Sequence, residues 1–554
     1  MAGLLDSAVS GLVTFQRNLA TTGHNIANVN TDGFSRQRVE MSTRTPQLSG
    51  NGFIGTGVKA DAVIRVYDQL LFDQKTNASS RFHELDTLQN MASRIDDMFA
   101  NDQAGLDPML QAFFDSVNGV ANDPTAIPSR QVLLSDAESL TNRFNTISNQ
   151  LDVLDSTVNS QLEGLASEVS AIARSIANFN ADIALQQGLA GGGTPNDLLD
   201  QRDIQLSRLS EIVAISTVEQ SDGAVNVFVG SGQTLVLGNV PSEFAILRND
   251  YDQSQFEIAL KTTSSTYTIS DQLSGGQIGG LLEFRDEVLN PAKNDLGRIA
   301  IVLADTINTQ HKLGDDLAGA QGLDLFNTII TTSPEVLANS NNGGTGVITT
   351  AVTDTTVLGS SEYRLLFDGT DYHLTRLSDN TEVTGSPFLV GAFPITFASE
   401  GIELTFASGA INAGDDFLIR PTRQGAADIA VALTDPAKIA AAADTAALGD
   451  NTNALAMAAM QTQKLLGNGT ETYQAAFGKA VASVGVKTGE AQSNATAQEA
   501  LLRRANDRVA SISGVNLDEE AANLLKFQQA YQAAARVFSV ANDVFQTLIN
   551  ATGR

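Results

Sequence analysis

The chain has 554 residues, with 34 Lys and Arg against 63 Asp and Glu, a formal net charge of −29, no Cys, no Trp and 4 His. At about 100–200 residues per domain the length indicates several domains. An acidity this strong argues against a phosphate-backbone binder, which needs basic surface to release counterions, and against docking on an anionic leaflet, so neither a nucleic acid nor a membrane is expected as partner. Without Cys there are no disulfides, thiolate nucleophiles or zinc-thiolate sites. No apolar run reaches the ~20 residues that span a bilayer. Asp6 stands early and no basic segment precedes the first apolar stretch, so a cleavable signal peptide is not expected and an exported chain would leave by another route.

In chain order, Leu5, Leu12, Leu19 and Ile26 recur every seven residues, with Ala8 and Phe15 three positions on, which predicts a coiled-coil seam. Asn25, Asn28 and Asn30 follow where the pattern ends, then Gly33 and Phe34. Asn and Gly are turn residues, read either as a plain helix end or as a fixed bend required by an assembly. Val58, Ala60, Ala62, Ile64 and Val66 alternate with Lys59, Asp61 and Arg65, a half-exposed strand. Helical patterns resume at about Ser80–Ala100 and Asp107–Ala121, with Pro108 in a first turn.

From Pro128 to about Ile183, apolar residues keep steps of three and four, with one doubled four-step at Leu154–Val158–Leu162 that reads as a stutter. A helix of that length is a rod of roughly 90 Å, which suits an elongated protein better than a compact enzyme. Gly188–Pro195 ends it. A short helix is expected over Asn196-Asp-Leu-Leu-Asp-Gln-Arg-Asp203, then strands near Val225–Val229 and Thr234–Leu237, then helix over about Gly279–His311 with Pro291 marking a break. Residues 330–422 are rich in Thr, Ser, Gly and β-branched side chains. Asp368-Gly369 reads there as a hairpin turn and Ile402, Leu404 and Phe406 alternate, predicting a small all-β insertion.

After Pro421 the chain returns to Ala-rich helices, including a long one over about Glu471–Ile512. Gly514 breaks the chain, and Asn516 with Glu519 reads as a capping-box variant. The last forty residues again repeat every seven: Leu517, Leu524, Tyr531, Phe538 and Phe545 at one position, Phe527, Ala534, Ala541 and Leu548 at the other. Two narrow seams at opposite ends predict that the termini pair; the alternative is that each packs separately on the body. The expected fold is α+β and multidomain, mainly α. Residues 1–35 and 515–554 form a paired terminal unit, 36–329 and 423–514 a helical rod unit with small strands, and 330–422 an inserted β unit at the tip, in a nested out-and-back topology.

Catalytic signals are weak. Gly50–Gly55 fits GxGxxG but lacks the preceding strand and following helix that pyrophosphate binding needs. His83-Glu84 opens like HExxH, but Thr87 stands where the second zinc ligand belongs. Asp315-Asp316 and Asp415-Asp416 are acidic pairs that resemble glycosidase or calcium groups. Adjacent residues of one loop seldom supply opposed carboxylates, and they read as solvated surface. No catalytic, cofactor or metal residue is expected; a secreted hydrolase is the distant alternative.

Ser10-Gly-Leu12, Asn25-Ile-Ala-Asn28 and Asn30-Thr-Asp-Gly-Phe-Ser-Arg-Gln37 resemble the N-terminal signature of bacterial flagellar axial proteins (rod, hook and hook-associated). Val515-Asn-Leu-Asp-Glu-Glu-Ala-Ala-Asn523 and Phe527-Gln-Gln-Ala-Tyr531-Gln resemble their C-terminal signature. Within that group Gly33–Gln37, Asp518–Glu520, Asn196–Asp203 and the Gly279–Leu313 block resemble proteins of the hook–filament junction. The resemblance implies a structural adaptor between hook and filament; a hook or distal-rod subunit is the alternative within the same machinery. It also implies unfolded export through the flagellum's own channel, a homo-oligomeric ring, the hook protein and a second junction protein leading to flagellin as partners, and an export chaperone on the C-terminal helix. The implied assembly surface comprises Leu5, Leu12, Phe15, Leu19, Ile26, Asn28, Gly33 and Phe34, together with Leu517, Leu524, Phe527, Tyr531, Phe538, Phe545 and Leu548, the first seam packing on the second.

Overall fold

The computed structural model describes all residues except 1, 50–51, 101–104, 190–192, 390, 444–448 and 553–554. It is about 53% helix and 19% strand. The first helix, α1, runs Ala2–Ala27. After the turn at residues 28–34 the chain forms an antiparallel ribbon of β1 (Gln37–Thr43) and β4 (Val58–Arg65), in register from Gln37↔Arg65 to Thr43↔Val58 with a bulge at Glu40/Met41. A short hairpin, β2 (Gln47–Ser49) with β3 (Gly52–Ile54), extends it and leaves Leu48, Phe53 and Ile54 exposed. The GxGxxG-like run therefore falls at this hairpin, and its residues 50–51 lie outside the described ones. The alternating pattern identified β4; its partner β1 has no comparable alternation.

Helix α2 (Gln69–Phe99) starts well before the expected Ser80, because Asp68 caps it, its carboxylate accepting from Leu71 N at 3.3 Å. Then come α3 (Leu106–Asn122) and α4 (Ile127–Leu189), whose 63 residues correspond to a rod of about 95 Å. The apolar stripe of α4 (Leu133, Leu140, Phe144, Ile147, Leu151, Val158, Leu162, Val169, Ile176, Ile183) is fully buried. Helix α5 (Asn196–Ile212) leads into a four-stranded sheet in sequential order, β5 (Ile215–Glu219), β6 (Val225–Val229), β7 (Gln233–Leu237) and β8 (Val240–Pro241). Next is a three-stranded sheet of β9 (Glu243–Arg248), β10 (Phe256–Lys261) and β11 (Thr266–Thr268). Polar side chains of α4 tie both sheets down: Asn180 Nδ2 donates to Val225 O at 2.8 Å, and Phe244 N donates to Ser170 Oγ at 2.9 Å.

Helix α6 (Gly276–Phe284) passes through a π turn, Arg285–Leu289, into α7 (Asn290–His311). Pro291 has no N–H, so an ordinary i→i−4 bond is lost at that point. The wider turn absorbs the loss, and the predicted break is a π bulge inside one helical run.

Residues 335–420 form two facing sheets. The larger is ordered β12 (Glu335–Ala338), β20 (Asp416–Arg420), β14 (Tyr363–Phe367), β15 (Asp371–Arg376) and β16 (Thr381–Glu382), with β17 (Phe388–Leu389) also on β15; the smaller is β13 (Val347–Val352), β19 (Ile402–Ser408) and β18 (Ile395–Phe397). Gly369, at φ +103°, makes the predicted Asp368-Gly369 turn. Tyr372 lies stacked between Phe367 and Phe388, centroids 4.6 and 5.2 Å away. The chain then returns through α8 (Gly425–Asp428), α9 (Thr452–Ala459), α10 (Tyr473–Ser513), which packs along α2, and α11 (Leu517–Thr552), which packs along α1.

The acidic pairs differ from the expected solvated surface. Asp316, Asp415 and Asp416 are buried. Asp316 accepts from Ala318 N and Ala320 N and pairs with Lys438 at 2.8 Å; Asp415 accepts from Gly343 N and Asn412 N; Asp416 accepts from Tyr251 Oη at 2.8 Å. Asp316 and Asp415 satisfy backbone donors in tight loops, Asp316 a lysine as well, while Asp416, at the start of β20, pairs through Oδ2 with Tyr251 and with Arg364 at 2.6 Å, so hydrogen bonds and charge pairing offset the burial.

Candidate assembly interface and its joint to the body

In α1 the most buried stripe is Ala8, Gly11, Thr14, Asn18, Thr22 and Asn25, small or polar, in place of the apolar seam. A Cβ on Gly11 would lie 3.6 Å from Ala534 Cβ, so small residues let the two helix backbones approach closely. The buried positions of α11 are Glu520 and Ala541, in step every seven residues with half-buried Phe527 and Ala534. In the single chain the larger seam residues flank this contact. Leu5, Leu12, Phe15, Leu19, Ile26, Leu524 and Phe527 are half-buried, and Leu517, Tyr531, Phe538, Phe545 and Leu548 are 38–50% exposed. Each helix is apolar over more of its circumference than one partner covers. An open groove of about 460 Å³, walled by Ala8, Phe15, Val58, Ala530, Ala534 and Val537, runs between them.

At the lower end of α1 the polar residues act together. Asn28 Nδ2 donates to His24 O at 3.0 Å and Thr31 Oγ1 donates to Asn28 Oδ1 at 3.1 Å, closing the helix end. Gly33 follows at φ +74°, where a Cβ would meet Ile204 of α5 at 2.4 Å. Both the left-handed backbone and the close approach require glycine here. Phe34 sets its ring edge-on to His24, centroids 5.3 Å apart.

The segment after this bend is fastened on two sides. Towards α11, Arg36 Nε donates to Glu520 Oε1 at 2.8 Å and its Nη1 pairs with Glu519 at 2.8 Å, while Arg36 N donates to Ser513 O at 2.7 Å. Glu520, 2% exposed, also accepts from Asn25 Nδ2 at 3.1 Å. Towards the body, nearly every polar residue of the Asn196–Asp203 block is used. Asn196 Nδ2 donates to Val63 O at 2.8 Å and Gln37 Nε2 to Asp197 Oδ1 at 2.8 Å. Ser35 N donates to Asp200 Oδ2 at 2.9 Å, and Arg65 Nη1 donates to Asp200 at 3.0 Å and Asp203 at 2.6 Å. Arg202 turns inward to Gly223 O at 2.6 Å.

Burial pushes the Asp203 and Asp200 carboxyls above the ordinary range, against the pull of Arg65. Burial works to lower Arg65, but Asp203, Tyr67 and Asp200 together outweigh it and its pKa rises. Arg65 lies 4.0 Å over the Tyr67 ring as well. Several charges held in a shared low-dielectric recess with paired hydrogen bonds fix one arrangement. This network has no reactive geometry; it sets the angle between the terminal helices and the body. Sequence reasoning placed Asn25, Asn28, Gly33 and Phe34 at this turn, but it did not identify Asn25, Arg36, Arg65, Asp200, Asp203 and Glu520 as its fasteners. The signal available was a set of charged residues inside otherwise apolar helical blocks.

The two ends match models of flagellar rod-type proteins: residues 5–34 the flagella basal body rod protein and 509–551 the flagellar basal body rod FlgEFG protein C-terminal. That defines the class, axial structural subunits of the bacterial flagellum. Between them, residues 92–326 match the flagellar hook-associated protein FlgK helical domain and 337–421 the D2-like domain of flagellar hook-associated protein 1. Flagellar hook-associated protein 1 of Salmonella typhimurium (strain LT2) is 34% identical over 560 residues, covering 99% of this chain and 100% of the relative. That of Escherichia coli (strain K12) is 33% identical over 553 residues, with 99% and 100% covered. A solved structure of the flagellar hook junction protein FlgK from Burkholderia pseudomallei shares the fold, with a TM-score of 0.73 at 24% identity over 80% of this chain and 100% of that one. The chain belongs to the flagellar hook-associated protein 1 family. It is a structural protein of the flagellum and not an enzyme. Among the described residues no helix is long and apolar enough to cross a membrane.

Proposed function

We propose that the chain is the structural adaptor that joins hook to filament, and that its terminal helix pair is the part that enters the shared wall of the tube. One observation carries this reading: the pair is locked rigidly to the body at Arg36–Glu520 and Arg65–Asp203, yet leaves Leu517, Tyr531, Phe538 and Phe545 open on its outside. Contiguous exposed apolar surface calls for further copies or partners to cover it. Head-to-tail contacts repeated about an axis close into a ring.

In that ring the paired segments 1–35 and 515–554 form the inner layer, 36–329 with 423–514 the helical layer outside it, and 330–422 the outermost unit of a nested chain. The hook protein contacts one side of the ring and a second junction protein, leading to flagellin, the other. Before assembly the chain travels unfolded through the flagellar export channel, and a cytoplasmic chaperone covers the apolar face of α11. Deleting the gene tests the adaptor role. Cells are expected to keep hooks, lose filaments and spill flagellin into the medium. Intact filaments overturn the reading, and loss of the hooks as well assigns the chain to hook or rod instead.

A further inference from the structure

The groove between α1 and α11 is open and uncharged. Among the described residues that line it, Ser7 alone has a polar side chain, and Ala8, Gly11, Gly57, Ala530, Ala533 and Ala534 are small. Its volume of about 460 Å³ is the share of roughly fifteen waters, which gives room for two large apolar side chains.

The same chain carries a finger of matching chemistry. From Gln47 to Ile54 it has no charged residue. In the β2–β3 hairpin Leu48 stands directly opposite Phe53, so the two side chains share one face, and they are 66% and 73% exposed. This face does not occupy the groove of its own chain. The ribbon beneath it runs back along α1: Asn25 Nδ2 donates to Gln37 O, Val58 N donates to Ser10 Oγ at 3.3 Å, and a Cβ on Gly57 would lie 3.0 Å from Ser7 Cα. The two strands stay paired beyond that point, Arg44 N donating to Gly57 O at 3.1 Å and Thr56 Oγ1 to Thr45 O at 2.8 Å. Gly57 lines the groove, and Phe53, four residues further out, is carried up to about 13 Å past it in the direction of Ala2.

The distribution of charge selects a second copy as the occupant. Residues 1–66 and 514–554, the terminal helices with the bend and the ribbon, hold nine Lys and Arg against eight Asp and Glu, so the −29 charge of the chain resides on the body. Bodies of like charge repel one another. Finger and groove therefore lie where two copies meet with least opposition, and every copy brings one of each. We propose that the Leu48–Phe53 face of one copy enters the α1–α11 groove of a second copy, with Phe53 beside Ala533. Finger and groove are offset along the same helix, so the contact is head-to-tail and repeats from copy to copy. This rests on the reading of the chain as an assembling subunit.

The test uses the full-length protein as the sole copy in flagellated cells. An unpaired charge is unfavourable in an apolar groove, so Phe53→Asp is expected to reduce the fraction of filament-bearing cells by about tenfold. Phe53→Leu, which stays apolar, is expected to remain within about twofold of the wild type. Ala533 is exposed, and Ala533→Phe, which fills the groove from its rim, is expected to act like Phe53→Asp. Because the chain lacks cysteine, Phe53→Cys with Ala533→Cys gives a clean cross-link: flagella assembled under reducing conditions, then sheared and oxidised, should show an intermolecular ladder absent from either single variant. Normal filaments with both Phe53→Asp and Ala533→Phe overturn the proposal. So does a Phe53→Cys variant that cross-links to a different flagellar protein, or a cysteine pair that closes within one chain in the free monomer. Where Phe53→Asp or Ala533→Phe misfolds or is not exported, the cysteine pair decides, and flagella without the ladder overturn the contact. If the deletion strain itself grows filaments, the adaptor reading has failed instead.

Discussion

Arg36 donates to Glu520 at 2.8 Å although 484 residues of chain separate them. The bond closes the molecule on itself at the foot of the terminal helices, and the buried carboxylate holds Asn25 of α1 with its second oxygen. Hydrogen bonds to a charged group are worth about 1.5–3 kcal/mol each. Glu520→Ala should therefore lower unfolding stability by about 3 kcal/mol, and Asn25→Ala by about 1–2 kcal/mol. In a double-mutant cycle the two losses should fall short of additive, because both act on one carboxylate. Strict additivity in denaturant titrations would show that the two contacts are independent.

Gly33 gives a second check on the same joint. Its φ of +74° costs an L residue about 1–2 kcal/mol, and an added Cβ also meets Ile204. Gly33→Ala should destabilise by more than the backbone term alone. Adding Ile204→Ala should relieve only the steric part. If Gly33→Ala melts like the wild type, the bend is not under the constraint described.

The ends should also differ from the body in accessibility. Much of α11 beyond Ala541 is exposed, whereas α4 buries its stripe completely along its length. Helices held by one narrow contact open at low cost, so limited proteolysis of the free monomer should cut within residues 525–550 long before it cuts α4. Equal resistance of both segments would refute this, and protection of the α11 sites in assembled flagella is the expected counterpart.

What could be read in the sequence follows from how local each signal is. The heptads of α1 and α11, the long stripe of α4 and the Asp368-Gly369 turn rest on spacing within a few residues, and the helices and hairpin formed there. The lateral position of the α1–α11 contact was not legible, because Ala8, Gly11 and Ala534 bring the backbones together while larger apolar residues stay at the margin. Asp316, Asp415 and Asp416 looked like surface because acidic pairs are abundant in so acidic a chain. Their burial depends on partners that only the folded chain brings within reach: backbone donors for Asp316 and Asp415, Lys438 for Asp316, and Tyr251 and Arg364 for Asp416. The joint was the least legible part. Arg65 and Asp203 are 138 residues apart, and neither residue's neighbourhood indicates the other.

His311 allows a prediction with a defined sign. It is fully buried at the end of α7, with Nδ1 at 2.6 Å from Leu323 O and Nε2 at 2.8 Å from Ala440 N. Those partners require a proton on Nδ1, which donates, and a bare Nε2, which accepts, so the folded ring is neutral. Burial lowers its pKa below the ordinary 6.5, against the pull of the Leu323 carbonyl. The unfolded chain thus binds a proton that the folded chain resists, and stability present above about pH 6.5 is lost as pH falls towards the folded pKa. His373 acts in the opposite sense: Glu382 and Asp368 raise its pKa, and its contribution is present below about pH 6.5 and fades as pH rises through the folded pKa. Chemical denaturation at about pH 7.5 and about pH 5.0 should show that His311→Gln is less stable than the wild type at the higher pH but loses less on acidification. His373→Gln should lose more than the wild type over the same interval. If His311→Gln keeps the full wild-type acid sensitivity, a group other than His311 controls it.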